Sequence, residues 1–267
     1  MVRCADTVSA TRWIGALTAT LPTVIRTRSL ISADRAWARP GGVFKPDGTL
    51  VRLPGSHAAG AREMYCRDVY LRSGLTMPRS GWVLDLGANA GLFSVWAACA
   101  GARVVAIEAQ QKFAEETRLL AAQNHVTDRV QTLTAMVSGD DRDAQPVGVL
   151  ADDAQWAAAT HSAGDRPAYV SIGQVMAQYG IDRVGLMKVD IEGGEFSVFS
   201  PAGDLAWLEH VDQIALEVHP EFGDVGAVVE TLRRYGFSVL LQGNEGERVG
   251  DVEANDAAYA YASRDRK

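Results

Sequence analysis

Residues 82–91 read W-V-L-D-L-G-A-N-A-G, and this stretch decides the fold. An apolar run that contains Asp85 and breaks at Gly87 predicts a strand, a tight turn and then a helix. Gly87 supplies backbone angles that other residues avoid, and Gly91 lets the helix lie close to the strand. A second apolar run ends at Glu108, where a carboxylate accepts hydrogen bonds from ribose hydroxyls. The pattern indicates an α/β protein that binds a nucleotide-like cofactor.

The turn lacks two of the glycines of a dinucleotide site. That fingerprint is G-x-G-x-x-G, and counting from Gly87 its third position is Asn89 and its sixth is Leu92. A pyrophosphate therefore fits poorly. The spacing Asp85-x-Gly87-x-x-x-Gly91 instead resembles motif I of class I S-adenosylmethionine (SAM) methyltransferases. The competing interpretation is an ordinary strand-helix-strand unit with a tight first turn.

The resemblance implies which residues hold the cofactor. We expect Asp85 to face the positively charged end of SAM, and Glu108 with its neighbour Ala109 to face the ribose. The N–H groups of the turn suit the SAM carboxylate, because a helix start carries unpaired N–H groups and partial positive charge. Asp140 and Asp141 follow the third strand, where this fold contacts the adenine edge, and turn formation explains them equally well. The predicted cofactor-binding residues are Asp85, Gly87, Ala88, Asn89, Gly91, Glu108, Ala109, Asp140 and Asp190.

The composition is that of a single soluble α/β domain. The chain of 267 residues is 47% hydrophobic, and no apolar run approaches the roughly 18–20 residues of a membrane span. A net charge of −7 with scattered basic residues argues against nucleic acid as a partner. The cysteines, at positions 4, 66 and 99, are far apart and lack metal-ligand spacing, which predicts reduced thiols and a cytoplasmic protein.

Predicted strands and helices alternate from residue 82 onward. Strands are expected at 83–86, 103–108, 130–137, 184–190 and 213–218. Helices are expected at 91–100, 111–124, 172–179 and 222–235. A polar insertion spans 143–167, and segments 237–242 and 257–263 form a terminal antiparallel hairpin around a turn at 243–250. This order predicts a Rossmann-like, largely parallel, doubly wound sheet with its ligand crevice at the carboxyl ends of the strands.

The first sixty residues predict an arm that precedes this domain. Residues 41–52 predict a β-hairpin turning at Pro46, Asp47 and Gly48, and residues 62–73 predict a helix leading into the first core strand. We therefore divide the chain into an N-terminal arm, 1–60, and a cofactor-binding domain, 61–267. The arm is expected to pack on the core or on a second copy of the chain, as in a homo-oligomer.

A second group of polar residues follows the fourth and fifth strands. K-V-D-I-E-G-G-E occupies residues 188–195, and A-L-E-V-H occupies residues 215–219. Glu217 and His219 are two residues apart, so their side chains point to the same side of a strand. With D-L-G-A-N-A-G, and in this order and spacing, these motifs make residues 63–261 resemble the FkbM-type family of SAM-dependent methyltransferases. The resemblance implies a class I methyltransferase fold in a family named for O-methylation in macrolide biosynthesis.

Two positions depart from the family pattern. Glu108 is followed by Ala109 where Pro is usual, and Gly173 stands where Asp is common. These departures indicate a divergent branch, so the family name does not define the methyl acceptor.

Methyl transfer to an alcohol needs a group that removes the hydroxyl proton and groups that hold the acceptor in line. His219 is the leading base because its ordinary pKa lies near neutral pH, and a packing histidine is the competing interpretation. Asp190 is expected to orient the acceptor or contact the SAM ammonium, unless it only caps the next helix. Glu192 is expected to bind the acceptor or brace the turn. Together with Glu217 these side chains are a candidate site for a divalent cation such as Mg²⁺, an alternative we do not favour because no fixed ligand spacing is present.

Three functions fit this sequence. The first is methylation of a hydroxyl on a small molecule, such as a sugar or secondary metabolite. The second is N-methylation of an amino acid or small amide on the same scaffold. The third is a catalytically inactive SAM-fold protein that acts as an assembly partner. The intact set of Asp85, Gly87, Gly91 and Glu108 argues against the inactive protein. The expected partner is a small-molecule methyl acceptor, and neither a nucleic acid nor a membrane is expected.

Overall fold

A computed structural model describes residues 42–54, 57–61, 64–65, 68–139 and 168–264. The predicted insertion at 143–167, the residues Asp140 and Asp141, and most of the N-terminal arm lie outside the described residues.

The strands and helices alternate over most of the described chain. The strands are β1 (Gly42–Phe44), β2 (Val51–Leu53), β3 (Trp82–Leu86), β4 (Arg103–Glu108), β5 (Val130–Ser138), β6 (Ala168–Ser171), β7 (Val184–Val189), β8 (Gln213–Glu217), β9 (Ser238–Gln242), β10 (Arg248–Val249) and β11 (Tyr259–Ser263). The helices are α1 (Ala58–Ala61), α2 (Leu92–Ala100), α3 (Gln111–Gln123), α4 (Ile172–Tyr179), α5 (Glu195–Val198) and α6 (Val225–Arg234). Short 3₁₀ turns occur at Pro46–Gly48, Ala206–His210, Pro220–Phe222 and Asp251–Asp256.

The central sheet has the order β10-β9-β11-β8-β7-β3-β4-β5-β6 in the described chain. The strands from β8 to β6 in this order run parallel, and β11 is antiparallel to both β8 and β9. β3 is buried along its whole length, as expected of a parallel strand covered on both faces. The predicted α/β class, the parallel sheet and the terminal antiparallel strands are confirmed.

Helices and loops cover the two faces of the sheet with separate apolar layers. One layer is contributed by α2, α3, β2 and the segment before β3, with Trp96 and Phe93 among its largest buried side chains. The other is contributed by α4, α5, α6 and the turn at 206–210. The chain leaves β3 toward β4 and β5 on one side and returns to β7 on the other. This reversal of strand order opens a crevice at the carboxyl ends of β3 and β7.

The predicted hairpin near the N-terminus is present and packs on the core. β1 and β2 pair antiparallel, with Gly42 opposite Leu53 and the turn at Pro46–Gly48. Asn124 at the end of α3 accepts the N–H of Arg52 at 2.7 Å and donates to its carbonyl at 2.8 Å. The hairpin thus shares a core with the larger domain, and the division at residue 60 stays a prediction. Of the helix predicted at 62–73, residues 68–73 lie in bends and turns instead.

Several segments differ from expectation. β6 was not predicted, because four residues are too few to show a periodic pattern. The predicted turn at 243–250 contains β10, and a 3₁₀ turn at Asp251–Asp256 then leads the chain to β11, which lies between β9 and β8. The last helix begins at Val225 rather than 222, because Asp224 caps it by accepting the N–H of Gly226. None of the helices in the described residues is both long and apolar enough to cross a membrane.

Candidate functional site

An open cleft lies at the carboxyl ends of β3, β4 and β7. Its walls combine apolar side chains of β4, α3 and β5 with polar groups from the loops that follow β3, β4 and β7. The predicted residues that line it are Gly87, Asn89, Glu108, Ala109, Asp190 and Glu192. Ile107, Gln110, Phe113, Ala135, Met136, Val137, Ile191 and Gly194 complete the lining. A cleft with apolar walls and a few converging polar groups suits a small-molecule ligand.

The loop after β3 is shaped by two glycines that no other residue replaces without a clash. Gly87 has φ +73°, and a Cβ there would lie 1.7 Å from the carbonyl oxygen of Asp190. Gly91 has φ +79°, and a Cβ there would lie 2.5 Å from the side chain of Thr117 on α3. Both angles lie in the region that glycine populates freely. The first glycine thus seats the loop on the end of β7, and the second lets α2 and α3 approach each other.

The N–H groups of this loop are engaged within the protein, which differs from the expectation that they would receive the SAM carboxylate. Gly87 and Ala88 donate to the carbonyl of Ile107 at 2.9 and 3.0 Å. Asn89 donates to Glu108, Ala90 to the side chain of Asn89, and Gly91 to the carbonyl of Ala88. The neighbouring strand β4 supplies acceptors that a motif within the loop does not reveal. Ala88 is buried and, like Gly91, lies outside the lining of the cleft.

Glu108 closes β4 with its carboxylate in the cleft wall. Oε2 accepts the N–H of Asn89 and Oε1 that of Gln110, each at 2.8 Å. Each oxygen keeps a further lone pair, so the carboxylate can still accept the ribose hydroxyls for which it was predicted. The two amide hydrogen bonds lower the pKa of Glu108, but burial has the larger effect, so the pKa is raised.

Asp85 lies beneath the cleft rather than in its wall. Its side chain is fully buried, and Oδ2 accepts the hydroxyl of Ser94 on α2 at 2.6 Å. Oδ1 lies 3.5 Å from Nζ of Lys188, a buried lysine on the adjacent strand β7. The structure therefore places Asp85 as a counter-ion within the protein, and direct contact between Asp85 and SAM stays a prediction.

Asp190 and Glu217 are joined by a tyrosine that the sequence did not single out. The Tyr70 hydroxyl lies 3.0 Å from Oδ2 of Asp190, which directly follows β7, and 2.8 Å from Oε2 of Glu217, which ends the adjacent strand β8. Burial, together with the charge of Asp190, raises the pKa of Glu217 to about 7. Burial and the same two carboxylates raise the pKa of Tyr70 well above its usual value.

His219 is held by a buried glutamate. Its Nδ1 lies 2.9 Å from Oε1 of Glu195, so Nδ1 carries a proton and donates it to the carboxylate. Nε2 points the other way and lies 3.3 Å from Oε2 of the half-exposed Glu192. Burial by itself lowers the pKa of His219, but the hydrogen bond and charge of Glu195, with the charges of Glu192 and Asp190, raise it to about 9.

The three predicted catalytic side chains meet at one edge of the cleft. One ligand-type atom from each of Asp190, Glu192 and His219 lies within 4.8 Å of the others, close enough to share a cation. Glu217 joins them through Tyr70 rather than directly. Glu192 has φ +50°, an uncommon angle outside glycine, which turns its side chain at the start of the tight loop before α5.

Sequence reasoning missed Tyr70, Lys188 and Phe113. Lys188 left a signal, because it is a charged residue inside the apolar run of β7 and the chain has only four lysines. Phe113, in the first turn of α3, follows the acid of β4 by five positions and lines the cleft. Tyr70 was missed because residues 62–73 were predicted to form a helix that only leads into the first core strand, whereas residues 68–73 lie in bends and turns.

Comparison with known proteins identifies the family. The sequence profile described as "Methyltransferase FkbM domain" matches residues 85–239, more than half of the chain. The chain belongs to the FkbM methyltransferase family. The matched region runs from Asp85 to β9 and so includes the Gly87 loop, Glu108, the Asp190 loop and His219. The strand order described above is that of the class I methyltransferase fold.

Relatives of this FkbM-family chain differ widely in size. It is 27% identical over 247 residues to the AMB antimetabolite synthetase AmbE of Pseudomonas aeruginosa, covering 76% of this chain but 11% of AmbE. It is 28% identical over 213 residues to the 31-O-demethyl-FK506 methyltransferase FkbM of Streptomyces tacrolimicus, covering 68% of this chain and 82% of that protein. The chain therefore spans a small part of AmbE and most of FkbM.

Solved methyltransferases resemble this chain only at low identity and low TM-score. An rRNA methylase from Streptococcus thermophilus has a TM-score of 0.42 and 8% identity, covering 70% of this chain and 89% of that one. A TehB-like SAM-dependent methyltransferase from Corynebacterium glutamicum has a TM-score of 0.39 and 10% identity, covering 71% and 82%. Neither likeness bears on what this FkbM-family chain methylates.

Proposed function

We propose that this FkbM-family methyltransferase moves a methyl group from SAM to a hydroxyl of a small molecule, such as a sugar or secondary metabolite. The observation that carries the proposal is the placement of His219. Glu195 fixes its Nδ1–H, and Nε2 faces outward beside Asp190 and Glu192 at the edge of the cofactor cleft. The name of the relative from Streptomyces tacrolimicus, a 31-O-demethyl-FK506 methyltransferase, supports an oxygen acceptor.

The cleft walls fit SAM. Ile107, Phe113 and Val137 offer an apolar surface for adenine, and Glu108 retains lone pairs for the ribose hydroxyls. Asp190 lines the same cleft and offers a carboxylate for the SAM ammonium. When bound, SAM supplies a methyl group on a positively charged sulfur, which is already an activated leaving group.

The acceptor side of the cleft has groups for holding a hydroxyl and removing its proton. Asp190 and Glu192 accept hydrogen bonds and orient the acceptor, and Nε2 of His219 takes its proton. Because the pKa of His219 is about 9, only about 1% of the ring is neutral at pH 7, and His219 becomes an effective base as the pH rises. The rate of methyl transfer is therefore expected to increase as the pH rises toward about 9.

The decisive experiment is a screen of hydroxylated acceptors with SAM that carries an isotopically labelled methyl group. We expect an O-methylated product, turnover that rises toward pH 9, and loss of turnover but retained SAM binding in His219→Ala. A methyl group found on nitrogen would support the alternative acceptor class. Failure of the wild-type chain to bind either SAM or S-adenosylhomocysteine (SAH) would indicate an inactive partner protein.

The same screen tests the divalent cation. We expect EDTA to leave turnover unchanged, because Nε2 of His219 already pairs with Glu192. Loss of turnover with EDTA, restored by Mg²⁺ or Mn²⁺, would instead assign Asp190, Glu192 and His219 as ligands of a cation that activates the acceptor. A cytoplasmic location, self-association through the N-terminal arm and the lack of nucleic-acid or membrane partners also remain proposals.

A further inference from the structure

Lys188 lies in a buried, charged network, and the proposed reaction gives Lys188 itself no task. It occupies the apolar strand β7, and its side chain is almost completely buried. Its Nζ donates to the carbonyl oxygen of Gly87 at 2.7 Å. The same nitrogen lies 3.3 Å from Oδ2 of Asp190 and 3.5 Å from Oδ1 of Asp85.

The distances separate two roles that a buried lysine can have. A lysine that only neutralises carboxylates approaches those carboxylates most closely. Here the shortest contact is instead to the backbone of the cofactor loop, since the Gly87 carbonyl is closer to Nζ than either acid. A charge-assisted hydrogen bond of this length fixes the direction of the carbonyl and thus of the peptide plane that follows it.

Two further contacts hold the loop after β3 against the end of β7. The N–H of Asp190 donates to the carbonyl of Leu86 at 3.1 Å, and the Gly87 Cα lies against the Asp190 carbonyl with no room for a Cβ. The ammonium therefore joins the two segments that form one wall of the cleft.

The network continues from Asp190 toward the acceptor side. Oδ2 of Asp190, which faces Nζ of Lys188, also lies 3.0 Å from the Tyr70 hydroxyl, and that hydroxyl lies 2.8 Å from Glu217. The Tyr70 ring is 5.3 Å from Nζ, so it covers the ammonium with an aromatic face. The connected groups run from the end of β3 across β7 to the end of β8.

We propose that Lys188 is a positioning residue, which holds the Gly87 carbonyl and the Asp190 carboxylate in a fixed relation and so keeps the cofactor cleft in its binding shape. The inference rests on the proposed function only in that the cleft binds SAM and SAH. It does not depend on which acceptor is methylated. Lys188 itself lies outside the lining of the cleft and acts through the loop and through Asp190.

The test replaces Lys188 with methionine, which keeps the length and apolar stem of the side chain and removes the ammonium. Calorimetry with SAH and SAM is expected to show binding weakened about tenfold or more, the factor that corresponds to one charge-assisted hydrogen bond. Hydrogen exchange of the amides of residues 87–91 is expected to accelerate in the cofactor-free protein. Leu208→Ala is the control, because Leu208 is a fully buried core residue in the turn at 206–210 and does not line the cleft, so that variant loses stability without removing a cleft residue.

A second pair of variants covers the case in which Lys188→Met does not fold. Asp85→Asn and the double variant Asp85→Asn/Lys188→Met remove the buried carboxylate charge that the missing ammonium would leave unpaired. The double variant is expected to bind SAH about tenfold more weakly than Asp85→Asn alone. Equal SAH affinity in this pair, or a Lys188→Met protein that melts earlier but binds SAH like wild type, would overturn the inference. A wild-type chain that binds neither SAM nor SAH would overturn both proposals, whereas one that binds SAH but methylates no hydroxyl would overturn only the first.

Discussion

His219 donates both its backbone N–H and its Nδ1–H to a single oxygen, Oε1 of Glu195, each at 2.9 Å. Glu195 is fully buried at the start of α5, and its other carboxylate oxygen accepts the N–H of Gly193 at 2.8 Å. Rotation of this carboxylate would break three hydrogen bonds, so the imidazole is held with Nε2 toward Glu192. The pairing converts a histidine that titrates near neutral pH into one that stays protonated.

Replacing Glu195 with glutamine should lower the pKa of His219. The amide keeps nearly the same shape but loses the charge that, with its hydrogen bond, raises the pKa to about 9. We expect the pKa to move toward the usual value of about 6.5, which an NMR titration of the ring proton measures without an acceptor. Glu221→Gln is the control, because Glu221 is an exposed acid outside the groups that shift His219. An unchanged pKa in Glu195→Gln would remove Glu195 as its cause.

The same raised pKa makes folding stability depend on pH. The pKa of His219 is higher in the folded chain than in the unfolded chain, so the charged ring stabilises the fold fully below about pH 6.5. This stabilisation is lost as the pH rises through about 9. The melting temperature of wild type should therefore exceed that of His219→Gln most at pH 6, and the difference should shrink by pH 9.5. A difference that grows with pH would contradict the assignment.

Gly87→Ala should unfold or badly distort the loop, whereas Gly236→Ala should be tolerated. Both glycines have positive φ, so alanine pays a conformational cost of about 1–2 kcal/mol at each. Only at Gly87 does the new Cβ meet backbone, 1.7 Å from the Asp190 carbonyl oxygen, while nothing lies within 4 Å at Gly236. Urea denaturation should show a loss of free energy of unfolding at Gly87 well above that at Gly236. Equal losses would show that the loop can move away from β7.

The cofactor loop was predictable because its determinants are local. The apolar run of β3, the glycines at 87 and 91 and the acid at the end of β4 lie within one strand-helix-strand unit. The network around Lys188 was not predictable, because Tyr70 reaches Asp190 across 120 residues and Glu217 across 147 residues of sequence. The acceptors for the loop N–H groups were missed for a similar reason. They are supplied largely by the neighbouring strand β4, and the pairing of strands is a tertiary property.

Glu108→Gln should greatly weaken the binding of SAM and SAH. The amide keeps the shape of the side chain, but an NH2 group replaces one of the two oxygens. That group cannot accept the N–H of Asn89 or Gln110, and it cannot accept a ribose hydroxyl. Calorimetry should show at least about a tenfold loss for both ligands, since a carboxylate hydrogen bond is worth more than a neutral one. Glu115→Gln, on the exposed face of α3, is the matched control and should bind like wild type. Wild-type affinity in Glu108→Gln would exclude Glu108 from the cofactor contact.

The melting temperature of Glu217→Gln, relative to that of wild type, should be higher at pH 8 than at pH 5. Burial and the charge of Asp190 raise the pKa of Glu217 to about 7, so the folded chain binds this proton more tightly than the unfolded chain does. The charged form therefore costs stability, and the cost grows as the pH rises from about 4.5 through about 7. Glutamine carries no charge and can still hydrogen-bond the Tyr70 hydroxyl, so its melting temperature relative to wild type should rise over this range. Glu230→Gln, on the exposed face of α6, should show no such change, and a rise of the same size there would trace the effect to overall charge rather than to the Asp190–Tyr70–Glu217 contact.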